Sequence, residues 1–133
     1  MNPHYPVVAN RARHRCEYCH APEVVFNLHF EVEHIEPQTA SGADEKANLA
    51  LACRSCNLYK GAYLTGWDEV TKSHERLYHP RTDLWKDHFE IANDQITIKG
   101  LTSIGRATIM RLRINRDLQL FARRRWVQLG LFP

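Results

Sequence analysis

Four cysteines form two C-x-x-C pairs, Cys16 with Cys19 and Cys53 with Cys56, and no cysteine is left over. Two thiolates two residues apart on a tight turn can share one Zn²⁺, and two such turns complete a tetrahedral site. Because the reducing cytosol disfavours disulfides, the pattern predicts one structural zinc ion held by all four thiolates. A redox dithiol is the alternative, although it would account for one pair rather than two. A filled four-cysteine site leaves no open position, so any chemistry is expected elsewhere.

Polar residues recur in a fixed order within and after the 33-residue gap between the pairs. The order is Glu33-His34-Ile35-x-Pro37, then Ala47-Asn48-Leu49, then Cys53-x-x-Cys56-Asn57-x-x-Lys60-Gly61. Over about residues 11–61 this order resembles the HNH nucleases of the ββα-metal type with a zinc-supported core. Asn57 as the third letter resembles their HNN variant. A looser resemblance to small bacterial HNH proteins rests on residues 77–80, 88–90 and 100–107.

The resemblance implies a division of roles in phosphodiester hydrolysis. His34 would be the general base, since a histidine is mostly neutral at pH 7 and can accept a proton. Glu33 and Asn57 would hold one Mg²⁺ or Mn²⁺ ion that polarises the phosphate and stabilises the leaving 3′ oxygen. Asn48 would tie the long loop together and orient His34. The family often has Asp where this chain has Glu33, and we hypothesise that the longer side chain shifts the preference toward Mn²⁺.

An alternating stretch before Pro37 predicts the strand that carries the acid and the base. Leu28, Phe30 and Val32 fall on one face, predicted to be buried, and His29, Glu31 and Glu33 fall on the other. Adjacent strand residues point to opposite faces, so Glu33 and His34 can act together only where the strand ends. Pro37 favours such an end.

The remaining elements follow from local patterns. Residues 1–10 are expected to form a loose arm, 39–46 a turn-rich loop, and 62–82 an irregular segment. A short helix is predicted from Asn57 to Gly61, and residues 88–92 and 95–99 are predicted to form a hairpin around Asn93-Asp94. Thr102 and Asp117 are predicted to cap two helices that end near Ile114 and Leu129.

The implied fold is α+β. It has a ββα-metal core stapled by the four-cysteine zinc site, followed by a β-hairpin and basic C-terminal helices. At 133 residues the chain is expected to be a single domain, with 11–61 as the core, 62–100 as the irregular segment and hairpin, and 101–133 as the basic helices. An apolar content of 44% and a charged content of 25% argue against a disordered or membrane-spanning chain. No secretory signal is recognised at the start, so a cytoplasmic location is expected.

Positive charge is concentrated at the end of the chain. Residues 99–133 carry eight basic residues and one acidic residue, a net charge of +7, whereas residues 1–98 have a net charge of −4. Such a segment favours a polyanionic partner. In the last helix, Leu118, Phe121, Ala122 and Leu129 predict a buried stripe, with Arg123 and Arg124 pointing away and Arg125 nearer to it. The predicted DNA contacts are Arg54, Lys60, Arg111, Arg113, Arg116, Arg123 and Arg124.

These observations lead to a hypothesis of a metal-dependent HNH endonuclease acting on double-stranded DNA. With one motif per chain, we expect a monomer that nicks one strand per site, with weak sequence preference. No protein partner is implied. Two other classes stay open at this point: a non-catalytic zinc-ribbon module that binds nucleic acid, and a thiol redox protein.

Overall fold

The structure is a computed structural model that describes residues 1–133. It contains five α-helices and six short strands, and the strands form three separate two-stranded antiparallel sheets. The helices are α1 Tyr5–Arg11, α2 Arg54–Lys60, α3 Trp85–His88, α4 Ser103–Leu112 and α5 Asp117–Gln128. The strands are β1 Glu31–His34, β2 Leu49–Ala52, β3 Thr65–Asp68, β4 Ser73–Arg76, β5 Phe89–Ile91 and β6 Ile98–Gly100. No helix has both the length and the apolar character needed to cross a membrane.

The first hairpin and α2 lie within residues 11–61, the segment predicted to contain the core. β1 pairs with β2 so that Glu33 lies opposite Ala50 and His34 opposite Leu49. All four residues of β2 are buried, as their apolar character requires. The helix after β2 begins at Arg54, earlier than predicted, because Cys53 occupies the cap position and its Sγ accepts from the Cys56 amide.

The strand faces differ from the prediction. Leu28 lies before β1 with 79% of its surface exposed, whereas Glu33, assigned to the open face, is buried. The other three residues of β1 are half-buried, and Glu33 alone is buried, because a lysine and a tyrosine in the core donate to its carboxylate. A paired, hydrogen-bonded charge can be buried where an unpaired charge cannot.

The N-terminal segment is ordered, which corrects the expectation of a loose arm. α1 buries Tyr5, Val8 and Ala9, which recur at the three- and four-residue spacing of a helix face. Pro6 lies in the first turn, where proline is tolerated. Arg11, the last residue of α1, donates to the carbonyl of Leu49 at 2.6 Å and so joins the helix to β2.

Residues 62–82 are not irregular, because they contain the β3–β4 hairpin. Asp68 at its turn accepts from the amides of Val70 and Thr71, which gives the turn its own local hydrogen bonds. The same carboxylate receives two bonds from Arg106 on α4, at 2.8 and 3.0 Å. The hairpin is therefore held by a partner about 40 residues away, which local patterns do not reveal.

The hairpin predicted around Asn93-Asp94 and the predicted cap at Thr102 are confirmed. β5 pairs with β6, and the hydroxyl of Thr102 accepts from the amide of Gly105 at the start of α4. A Cβ on Gly105 would lie 2.1 Å from the carbonyl oxygen of His88, so only glycine permits this close packing. The second predicted cap is wrong by one residue: Asp117 is the first residue of α5, and Arg116 occupies the cap position without a side-chain bond.

The buried face of α5 is also not the predicted one. Leu118, Phe121 and Leu129 are each more than half exposed, whereas Arg123 is completely buried. The two terminal nitrogens of the Arg123 guanidinium donate to the carbonyls of Ile96 and Ile114 at 2.5 and 2.6 Å, which holds the group inside the protein. Burial lowers its pKa. Arg123 therefore does not point away from the core, and its predicted contact with DNA is wrong for this structure.

Candidate metal centre and active site

The four cysteines meet at one buried point. Their Sγ atoms all lie within 4.8 Å of one another, and the Sγ atoms of Cys19 and Cys53 are 3.7 Å apart. Four thiolates at such separations suit one tetrahedral Zn²⁺, whose sulfur ligands lie at about 2.3 Å. The structure thus arranges Cys16, Cys19, Cys53 and Cys56 for a zinc site.

The first cysteine pair is attached to the hairpin by the residue that follows Cys16. The amide of Glu17 donates to the carbonyl of Leu51 at 2.9 Å, and the Glu17 carboxylate accepts from the Leu51 amide at 2.8 Å. The next residue, Tyr18, is completely buried and donates its hydroxyl to Oε1 of Glu33. The two residues between the cysteines therefore connect the thiolate cluster to both strands of the sheet.

Glu33 is held from two sides. While Tyr18 contacts Oε1, the ammonium of Lys60 lies 3.0 Å from Oε2, and both side chains of this ion pair are at most 4% exposed. Burial raises the pKa of Glu33, and the adjacent Lys60 charge opposes that increase. Lys60 also donates to the carbonyl of Ile35 at 2.9 Å. The prediction that Lys60 meets a DNA phosphate is therefore wrong for this structure, because its ammonium is buried and occupied.

Asn57 contacts the carboxylate of Glu31 rather than that of Glu33, the residue predicted to hold a metal ion with it. Its Nδ2 donates to Oε2 of Glu31, and Arg54 donates to Oε1 of the same residue at 2.9 Å. Glu31 was not among the predicted site residues, although its two-residue spacing from Glu33 places both carboxylates on one face of β1. With Nδ2 engaged in this way, Oδ1 of Asn57 is the atom that remains for a metal ion.

His34 lies on the other face of β1. Its Nε2 is 3.1 Å from Oδ1 of Asp44, and its side chain is 24% exposed. A carboxylate on one imidazole nitrogen sets the tautomer and leaves the other nitrogen, Nδ1, to accept a proton. Asp44 was not predicted as a site residue. The signal for it was weak, since it is one of several polar residues in a loop rich in turns.

Asn48 ties together the loop between β1 and β2, as predicted. Its Oδ1 accepts from the amide of Glu36, and its Nδ2 donates to the carbonyls of Glu36 and Ala43, all at 2.9 Å. A Cβ on Gly42 would lie 1.7 Å from the Glu36 carbonyl, so the loop closes tightly here. Ala43 precedes Asp44, which means that Asn48 fixes the segment that contacts the imidazole.

The other predicted DNA contacts are spread over three helices. Arg54 is largely exposed on α2, Arg111 and Arg113 end α4, Arg116 precedes α5, and Arg124 is exposed on α5. Two members of the predicted set, Arg123 and Lys60, lie in the interior, so the set as a whole does not form one surface.

Residues 16–62 match the family model described as HNH endonuclease. The match covers this segment of the chain, which we call the HNH segment. The matched HNH segment begins at Cys16 and contains both cysteine pairs, the first hairpin and α2. HNH proteins are usually nucleases that act on DNA, which supports an endonuclease here. No curated protein matches the chain, and no solved structure does so either.

Proposed function

We propose that this protein is a metal-dependent endonuclease that hydrolyses phosphodiester bonds of double-stranded DNA. One observation carries the proposal: within the HNH segment, a histidine oriented by a carboxylate ends a strand whose other face holds two glutamates. A base and an oxygen-rich metal site on adjacent residues are what attack of water on a phosphate requires.

His34 is the proposed general base. Asp44 holds the imidazole by one nitrogen, and the second nitrogen takes a proton from the attacking water. Asn48 acts indirectly, because its amide holds the loop from Glu36 to Ala43 in place beside Asp44. By resemblance to the family, the products carry a 5′-phosphate and a 3′-hydroxyl.

Glu33 and Asn57 are the proposed ligands of one Mg²⁺ or Mn²⁺ ion, and we add Glu31. Carboxylate and amide oxygens are the donors that these hard cations prefer, so the residues present fit the ion. Glu31 is included because it is the carboxylate that Asn57 contacts directly. When bound, the ion would polarise the phosphate and stabilise the leaving oxygen. A separate zinc ion on the four cysteines would be structural, because thiolates fill its coordination sphere.

The proposed reaction cuts one strand at a time, since the chain has one such site, and the proposed working unit is a monomer. Sequence preference is expected to be weak, because exposed arginines supply phosphate contacts rather than base readout. A cytoplasmic location would keep the thiolates reduced and available for zinc.

A supercoiled plasmid tests this proposal. We expect nicked circles in Mg²⁺ or Mn²⁺, none when both are omitted, and a loss of about 10²–10⁴-fold in rate for His34→Ala. His74→Ala removes an exposed histidine of β4 and serves as the matched control. Plasmid binding without cleavage in either metal would favour the non-catalytic zinc-ribbon alternative. Early linear product would indicate two cooperating sites.

A further inference from the structure

Helix α2 lies between the candidate active site and basic residues outside the HNH segment. Successive helix residues are separated by about 100°, so the seven residues of α2 divide among distinct faces. The observed contacts define three of them: Cys56 and Lys60 are buried, Arg54 and Asn57 contact Glu31, and Ser55 and Tyr59 contact arginines that follow α4.

The third face of α2 holds two arginines in place. Arg116 donates to the hydroxyl of Ser55 at 3.3 Å, and its Cζ lies 5.4 Å from the centre of the Tyr59 ring. Arg113 approaches the same ring, with its Cζ 4.8 Å from the centre. Two cations therefore share one aromatic ring beside the helix that carries Asn57.

A second tyrosine continues this arrangement. The Cζ of Arg111 lies 3.7 Å from the centre of the Tyr63 ring, and its Nε donates to the carbonyl of Thr65 at 2.8 Å. Tyr63 follows the end of α2 and is exposed. The row of stacked arginines thus extends along α2 toward the β3–β4 hairpin.

These three arginines have no carboxylate partner. The arginine ion pairs of the protein are made by Arg54, Arg76, Arg81 and Arg106. The Nε of Arg116 is buried without any acceptor in the protein. Stacking on a ring restrains a guanidinium while leaving N–H donors in its plane free for another acceptor.

We propose that Arg111, Arg113 and Arg116, held by Tyr59 and Tyr63, form a phosphate-binding surface for the backbone of duplex DNA. We call this the α2–α4 surface. The charge complementarity is direct, because restrained and unpaired guanidinium groups match the fork geometry of phosphate oxygens. The choice of DNA rests on the proposed function. In this arrangement the basic segment, residues 99–133, adds a DNA-binding surface beside α2 and is not an independent module.

Salt dependence of binding tests the surface. Anisotropy of a fluorescein-labelled duplex is measured against the zinc-loaded full chain, without Mg²⁺ or Mn²⁺, over a series of salt concentrations. Each lost phosphate contact lowers the slope of log affinity against log salt by about 0.9, so Arg113→Ala/Arg116→Ala should lower it by about 2. Lys72→Ala/Lys86→Ala removes the same charge from exposed positions outside α2 and α4. A slope equal to that of this control would overturn the proposal.

Variants of Tyr59 test whether DNA binding depends on arginines restrained by the ring or on positive charge alone. Tyr59→Phe keeps the ring and should bind like the parent, whereas Tyr59→Leu should weaken binding about two- to fivefold. Equal affinity of the two variants would refute the role of the ring. Unchanged zinc content and melting temperature verify folding. If the double variant does not fold, the single Arg113→Ala, an exposed residue, should still lower the slope by about 0.9.

The outcomes also separate this inference from the proposed function. Plasmid nicking by the parent combined with a control-like slope for the arginine variant would refute the surface alone. A reduced slope without nicking in either metal would refute the endonuclease and leave the α2–α4 surface as a binding site for DNA.

Discussion

The two candidate metal sites of this protein are built in different ways. The four thiols converge within 4.8 Å, whereas the oxygen donors of the proposed active site are divided between two contacts. Glu33 is paired with Lys60 in the interior, and Asn57 is paired with Glu31 nearer the surface. The cysteine site is thus a closed cluster of four identical ligands. In the proposed active site, the oxygen atoms already have protein partners that compete with a metal ion.

The difference reflects what each site does. A structural ion is never released during function, so its ligands can be buried and contributed by two tight turns. A catalytic ion must admit water and phosphate, so its protein ligands are few and need partners that hold them when no substrate is bound. Tyr18 and Lys60 join the two sites, since Tyr18 lies between two cysteines and Lys60 follows Cys56 by one helical turn.

The largest expected effect comes from breaking the closed cluster. Cys56→Ser should abolish zinc binding and cooperative folding, because binding of a structural zinc contributes about 10–16 kcal/mol, which is comparable with a domain's total stability. Zinc content and circular dichroism would be measured, with Ser55→Ala as the neighbouring control. A cysteine variant that melts like the parent would mean that the thiols are merely packed core.

The buried ion pair should give the next largest effect. Lys60→Met leaves the Glu33 carboxylate buried without its counter-charge, and we expect a loss of about 3–5 kcal/mol in the free energy of unfolding. The double variant Glu33→Gln/Lys60→Met should lose less than the sum of its single variants, since neither charge is then left alone. Urea unfolding at a constant zinc concentration measures the free energy of unfolding of the single and double variants.

Glu31→Gln is the matched control on the same strand face. Glu31 pairs with the largely exposed Arg54, and an exposed ion pair contributes about 0–1 kcal/mol. Equal losses for Lys60→Met and Glu31→Gln would contradict the distinction between an interior pair and a surface pair.

The same distinction explains which residues could be predicted from the sequence. The convergence of the four cysteines and the loop contacts of Asn48 could be predicted, because short spacings and the order of the motifs constrain these positions. Lys60 and Arg123 were placed on the surface because charge usually indicates exposure. Their burial depends on carbonyls and a carboxylate brought in from other elements, and no local pattern encodes those partners.

The buried faces of β1 and α5 were also not predictable from the local sequence. In β1 the alternation predicted a buried apolar face, but the one buried residue is Glu33, whose burial depends on Lys60 and Tyr18. In α5 the more apolar stripe at Leu118 and Phe121 is exposed, because the stripe containing Arg123 faces the carbonyls of Ile96 and Ile114. The amino-acid composition indicates which face of a helix or strand is more apolar. Contacts with specific residues of other elements determine which face is buried.

A smaller effect is expected from the contact that orients the base. Asp44→Asn keeps the size of the side chain but removes the negative charge beside Nε2 of His34. We expect kcat for plasmid nicking to fall about 10–100-fold, as for other partners that orient a functional imidazole, with KM and melting temperature unchanged. Glu45→Gln alters the next exposed carboxylate and is the control. A rise in KM without a fall in kcat would indicate a role in DNA binding instead.

The smallest expected effect lies outside the HNH segment, at a carboxylate that needs no metal. Arg76 donates to both oxygens of Asp83, and the His79 amide donates to one, which together lower the Asp83 pKa to about 2. The pKa of an unfolded Asp is about 3.9, so the stabilisation from this pairing is fully present above that pH and is lost as the pH falls through about 2. After allowance for solvent screening, Asp83→Asn should cost about 1 kcal/mol at pH 7 and nothing below about pH 2.

Urea unfolding of Asp83→Asn at several pH values measures this loss, with Asp87→Asn, an exposed carboxylate outside any ion pair, as control. A pH-independent cost would mean that Asp83 acts through packing rather than charge. The comparison with Lys60→Met is then quantitative: both variants break a carboxylate–cation pair. The larger cost at Lys60 should reflect the water that is excluded around Glu33 and still reaches Arg76, whose side chain is 53% exposed.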